Sequence, residues 1–154
     1  MVAEISVQLP NIPGQFSRVL KALGHAQVSI RAFSVDQDGA LSRLHLLFAD
    51  AAEAERACEA LEEYSYETFQ TELLLLSCPD ALGTLLRITD VLAGNNINVD
   101  YGYTVLGQTE SGEVFFALKV ADGRAAFALE CLAAYGITEH NLVNPATAPV
   151  PSAS

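Results

Sequence analysis

Apolar residues recur along this chain in two rhythms, every second position or every third and fourth, and the order of the rhythms repeats once. "EISVQL", Glu4 to Leu9, puts Ile5, Val7 and Leu9 on one side and predicts a strand with one buried face. The corner "PNIPGQF" follows. Beyond it Phe16, Val19, Leu20 and Leu23 line one side of a predicted helix that ends near Gly24. "VSIRAFSV" alternates again, "DQDGA" supplies a hairpin turn, and "LSRLHLLFA" is the partner strand. Asp50 caps a helix from Ala51 to about Tyr64, with Ala54, Ala57, Cys58 and Leu61 inward and Glu55, Glu59, Glu62 and Glu63 in water.

"YETFQTELLLLS" then runs without a turn signal into a second corner, "CPDALGTL", and predicts either two short strands end to end or one long bent one. The rhythm repeats from there. A helix is expected over Gly83 to Ala93, strands over Ile97 to Val105 and Val114 to Ala121, a longer turn "LGQTESGE" between them, a helix over Arg124 to Tyr135, and a short closing strand near Ile137. Pro10 matches Pro79, Asn11 Asp80, Gly14 Gly83, Phe16 Leu85, Arg18 Arg87, Leu23 Leu92 and Val28 Ile97, a period of about 70 residues.

The expected class is α+β: two ferredoxin-like βαββαβ units, over residues 1–71 and 72–142, each an antiparallel sheet with its helices on one face. Residues 143–154 lack periodicity and large apolar side chains, so a disordered tail is expected there. Leu44, Leu46, Phe115 and Ala117 include residues that must point away from the helices, and those faces or the strand edges are where halves and subunits meet. A unit of about 70 residues is marginal alone, which predicts docking of the halves and a homodimer.

Composition narrows the partners. Eight basic residues against nineteen acidic ones give a formal charge of −11, which disfavours nucleic acid and anionic membranes. The sequence has neither an apolar run of about 18 residues nor a leader pattern at "MVAEISVQLP", so a cytoplasmic location is expected. Cys58, Cys78 and Cys131 show no CxxC spacing, and His25, His45 and His140 show no HxxxH spacing, so neither a metal site nor a cofactor is expected.

The two corners carry the candidate chemistry. A glycine at the start of a helix leaves backbone N–H groups unshielded, and with the helix dipole these attract a carboxylate. The competing explanation is that Asn11 and Asp80 cap helices and that Pro13 is a favoured first-turn residue. At the far end of the second unit's first helix, Asn95 or Asn96 can end the helix in a left-handed turn. Asn98 lies beyond that turn, at a strand start, where neither capping nor strand propensity favours asparagine.

"PNIPGQF", "PDALGTLLRITDVLAGNNINV" and the βαββαβ order together resemble the ACT family of small regulatory domains, over residues 3 to 140. The tandem without a catalytic domain looks like the small stand-alone double-ACT proteins. The resemblance implies a non-enzymatic regulatory protein that binds a free amino acid between neighbouring units, held by the corner of one and the second-strand start of the next. By position, the implied contacts are Asn11, Ile12, Pro13, Gly14 and Gln15 in the first corner and Asp80, Ala81, Leu82, Gly83 and Thr84 in the second. Gln27, Val28, Asn96, Ile97 and Asn98 stand at the strand starts. There are two departures: Leu82 replaces the family proline in the second corner, and Gln27 and Ser29 stand where the second unit has Asn96 and Asn98, so the first strand start is less polar and the site with Asn96 and Asn98 is favoured.

The alternative is a ligand-free interaction module acting on an enzyme or regulator of amino-acid metabolism. Catalysis by Cys78 lacks a neighbouring base in the sequence, and the residue fits a small buried strand position. His45 fits a polar or interface face of its strand, and His25 a helix C-terminus. Tyr101 and Tyr103 share a face, with Gly102 opening space between them, and are expected to pack across a subunit interface.

Overall fold

The computed structural model describes residues 2–105 and 113–139. The longer turn before residue 113 and the tail over 143–154 lie outside them. Two βαββαβ units follow one another. The first runs β1 (Val2–Pro10), α1 (Gln15–His25), β2 (Ile30–Asp38), β3 (Leu41–Phe48), α2 (Ala51–Glu63) and the first half of β4 (Thr68–Pro79). The second runs from the other half of β4 through α3 (Thr84–Gly94), β5 (Val99–Val105), β6 (Glu113–Val120), α4 (Ala125–Ala133) and β7 (Thr138–Glu139).

The twelve residues of β4 form one strand shared by both units. Thr68 to Leu73 pair with β1, and Leu74 to Pro79 pair with β6. The hydrogen-bonded order is β2-β3-β1-β4-β6-β5, with β7 beside β4, and every pairing is antiparallel. The boundary expected between residues 71 and 72 thus falls inside a strand.

Three apolar clusters explain how the layers hold. Ile5, Val7, Leu9, Leu44, Leu46 and Phe48 meet Val19 and Leu23 of α1 and Ala57 and Leu61 of α2. Leu74, Leu76 and Leu118 meet Ile88 and Leu92 of α3 and Leu132 of α4. Between those two helix-covered cores, Ala32, Leu47, Leu73, Leu75, Val105, Phe115 and Ala117 form a third on the other sheet faces. Side chains alternate across a strand, so Leu73 and Leu75 join the third cluster while Leu74 and Leu76 join the second. Leu44 and Leu46 lie under the helices, whereas Phe115 and Ala117 face the other sheet. The single buried face expected of β1 is a partial reading: Glu4 and Ser6, opposite Ile5 and Val7, are buried too, beneath the second unit.

The capping expected of Asp50 is present. Its Oδ1 accepts from the Glu53 N–H at 2.8 Å, and Glu53 Oε2 accepts from the Ala49 N–H at 3.3 Å, a reciprocal pair at the start of α2.

Candidate ligand-binding site

The two corners are built by the same bonds at positions 69 residues apart. The Ile12 N–H donates to Pro10 O at 2.8 Å, and the Ala81 N–H to Pro79 O at 2.9 Å. The chain then passes through a left-handed glycine, φ 90° at Gly14 and 84° at Gly83. Each glycine carbonyl accepts the first helical bond, from Arg18 at 3.1 Å and from Arg87 at 2.9 Å. No side chain caps either helix, so Asn11 and Asp80 are not its caps. Gly14 is the N-cap of α1, which leaves Pro13 before the helix rather than in its first turn. The first N–H of each helix is taken within the corner, Gln15 to Ile12 O at 3.5 Å and Thr84 to Ala81 O at 3.2 Å, and the next N–H groups of the first turn, which have no partner within the helix, open beside a residue with no Cβ.

The helix ends repeat as faithfully. Gln27 and Asn96 are left-handed, with φ of 54° and 55°, and Val28 and Ile97 donate back to Leu23 O and Leu92 O at 3.4 and 2.9 Å. Both following strands carry a register irregularity at matching places, between Ile30 and Ala32 and between Val99 and Tyr101.

The implied contact residues divide by exposure. Asn11, Ile12, Pro13, Asp80, Ala81 and Leu82 are exposed, Leu82 completely so at 108%. Gln15 and Thr84 are half-buried, and Thr84 Oγ1 donates to Pro79 O at 3.0 Å, bracing the second corner. Gln27, Asn96 and Asn98 are exposed, Val28 is half-buried, and Ile97 is a core residue at 5% exposure. Asn98 Nδ2 donates to Asp100 Oδ1 at 3.0 Å. Asp100 is therefore a carboxylate at the strand start that the sequence pattern did not single out.

Corner and strand start of one unit do not meet. Eleven helical residues separate Gly83 from Asn95, which is about 16 Å. A groove of about 150 Å³ opens at the first corner between Asn11, Ile12, Gln15, Phe16 and Val35. One of about 360 Å³ runs from Gly83 past Leu86, Arg87 and Asp90 to Tyr135. Arg87 lines the groove that begins at the second corner, a role its place in the repeat did not announce.

Cys78 is buried in the second core, and burial, then the Glu113 carboxylate, push its thiol up. A thiolate nucleophile is disfavoured there. His25 contacts the Tyr64 hydroxyl through Nδ1 at 3.2 Å.

A second polar cluster lies between the two sheets. Glu4 is fully buried; Oε1 accepts from the Tyr101 hydroxyl at 2.7 Å and Oε2 from the Tyr103 hydroxyl at 2.6 Å. His45 Nδ1 lies 2.8 Å from Glu4 Oε1, and its Nε2 lies 3.1 Å from Asp36 Oδ2. Burial pushes the Glu4 carboxyl up, but the hydrogen bonds from His45, Tyr103 and Tyr101, with the charge of His45, outweigh it and hold the group below its ordinary value. Burial and the Glu4 carboxylate push both tyrosine hydroxyls up. The two tyrosines cross to the other unit of their own chain rather than to a second subunit.

No family model and no curated protein sequence matches the chain. Solved structures do. Protein BT0572 from Bacteroides thetaiotaomicron superposes with a TM-score of 0.77 at 17% identity, covering 89% of this chain and 90% of that one. The regulatory subunit of aspartate kinase from Thermus thermophilus, in its ligand-free form, gives 0.63 at 16% identity, over 86% and 90%. The aspartokinase alpha and beta subunits give 0.58 at 17% identity, over 87% and 92%. At these identities the likeness is one of fold, and the fold is the α+β tandem of two ACT-type, ferredoxin-like units.

Among the described residues no helix is long and apolar enough to cross a membrane, and no three His, Cys, Asp or Glu side chains gather to hold a metal ion.

Proposed function

We propose that this chain is a non-enzymatic regulatory protein, cytoplasmic and homodimeric, that binds a free amino acid between neighbouring ACT units. The observation that carries the reading is the uncapped, glycine-led corner made twice by the same bonds. A structural turn needs only one of its many possible forms, whereas a carboxylate needs free N–H groups at a helix start. The fold shared with regulatory subunits of aspartate kinase supports the regulatory role.

The ligand sits between two copies. A corner lies at one end of its helix and the strand start at the other, and a two-fold axis brings the corner of one copy beside the strand start of its partner. Asp80, Ala81, Leu82, Gly83 and Thr84 of one copy face Asn96, Ile97 and Asn98 of the next. First-turn N–H groups take the carboxylate, while Asp80, Asp100 and strand-start carbonyls take the ammonium. Free amino acids are abundant in cells, so a useful sensor needs only about −4 to −8 kcal/mol.

Thermal melting with a panel of free amino acids tests this. At least one raises the melting temperature at millimolar concentration; a well-folded sample unmoved by all of them overturns the reading. One observation favours the ligand-free interaction module instead: Leu82, Leu85 and Leu86 stand exposed together at the second corner. Capture of a stable protein partner, with melting unmoved by amino acids, selects that alternative.

A further inference from the structure

The duplication lets the buried polar cluster be compared with itself. Positions 69 apart are equivalent in the two units, by the corners, the left-handed helix ends and the strand irregularities alike. By that offset Glu4 corresponds to Leu73, and Ala32, Ser34 and Asp36 to Tyr101, Tyr103 and Val105. Strand register extends the match: Ile5 pairs with Leu46 and its counterpart Leu74 with Leu118, so His45, one residue earlier, corresponds to Ala117.

The Glu4 carboxylate and the His45 ring therefore lie on the first unit and the two tyrosine hydroxyls that Glu4 accepts from lie on the second, with the Thr71 hydroxyl of β4 also bonded to Tyr101. The exchanged positions are apolar: Ala32 and Leu73, the counterparts of Tyr101 and Glu4, belong to one apolar cluster. A carboxylate on a hydroxyl in one pairing thus answers to two apolar residues, Leu73 and Ala32, in the other. Gly102 adds shape to the match. A Cβ there would stand 2.4 Å from Leu118 Cδ2 and 3.0 Å from Ala117 O, so β5 lies close against β6 between the two tyrosines, and a side chain would make Leu118 move.

We propose that this cluster is a pairing key, which lets the open sheet face of a first unit stack on the face of a second unit and on no other. Two first units face to face would bring two Glu4 carboxylates against Ala32 and Ser34, with neither tyrosine present. Two second units would bury four tyrosine hydroxyls against Leu73 and Ala117. A buried carboxylate or hydroxyl without its partner is strongly unfavourable, whereas an apolar face alone accepts either neighbour. The key directs the two faces of one chain onto each other and leaves other surfaces for assembly with further copies. It stands independently of amino-acid binding.

Refolding of the full chain from urea, followed by size-exclusion chromatography with light scattering, tests the key. The wild type returns to one size across a range of concentrations. Glu4→Leu with His45→Ala makes the first face resemble the second at those positions; like faces then pair between chains, and larger species accumulate with concentration. Adding Tyr101→Phe and Tyr103→Phe removes the orphaned hydroxyls and raises the melting temperature again, yet leaves the sizes spread. Return of the fourfold variant to one wild-type size overturns the proposal. Should these variants fail to refold, the conservative cycle of Glu4→Gln and Tyr103→Phe decides. Coupling of about tenfold or more in the unfolding equilibrium supports the key, and additive effects refute it.

Discussion

Gly14→Ala and Gly83→Ala form a matched pair that separates the backbone role of the corners from their role in binding. Both glycines are left-handed, at φ 90° and 84°, and an added Cβ meets nothing within 4 Å at either. The cost to folding is thus conformational only, about 1–2 kcal/mol for an L residue in that region. At about 2–4 °C per kcal/mol for a chain of this size, each variant melts roughly 2–8 °C lower, and by similar amounts. Binding separates them. In the second corner the new methyl stands at the first-turn N–H groups that take the carboxylate, and losing one charge-assisted hydrogen bond costs about 1.5–3 kcal/mol. Calorimetric titration with the amino acid that gives the largest thermal shift therefore finds Gly83→Ala weaker by roughly tenfold to a hundredfold. Gly14→Ala keeps its affinity for the preferred site within about threefold. Unchanged affinity in Gly83→Ala, with the predicted loss of melting temperature, would mean that the corner is a turn and nothing more.

Two further outcomes follow from the fold. Asp50→Ala removes the side-chain acceptor for the Glu53 N–H and lowers stability by about 1 kcal/mol in urea unfolding, while leaving amino-acid affinity unchanged. Glu4→Gln melts lower at neutral pH by several degrees, and its gap to the wild type narrows in acid. The sign follows from the depressed Glu4 carboxyl, held against Tyr101, Tyr103 and His45, with Asp36 beyond the ring. Its contribution is complete above the unfolded value near 4.5 and is lost as pH falls through the folded one. The two tyrosines, raised from 10, contribute in full below that pH and lose their share as it rises through their folded values. A gap that is constant from neutral pH to pH 3 would show that Glu4 carries no net charge-dependent stabilisation.

The sequence disclosed the repeat well because its signals are local. Prolines, glycines and helical periodicity recur at one offset, and each reports on backbone geometry that the structure repeats bond for bond. The shared strand was half legible: the absence of any turn residue between Tyr66 and Ser77 allows one long strand but equally two short ones end to end. What escaped was the burial of polar residues by a distant partner. Glu4 reads as the solvent side of an alternating strand, and no pattern within "EISVQL" says that a second sheet covers it. His45 and the tyrosine pair were placed on polar or interface faces, but nothing linear joins residue 4 to residue 103. Asp100 and Arg87 escaped for a related reason: their relevance comes from a side-chain contact and a groove wall, neither of which has a spacing.

In the proposed dimer the amino acid is held by two copies, the second corner of one and the strand start of the other. Mixing two defective chains measures it most directly. Gly83→Ala spoils the corner and Asn98→Ala the strand start, so each variant alone binds weakly at both sites of its dimer. In a mixed dimer one site collects both defects and the other collects neither. Titration calorimetry of the refolded mixture should recover wild-type affinity at about one site per mixed dimer. A mixture that binds no better than its two components would contradict the account, and would place the site within a single chain or nowhere at these corners.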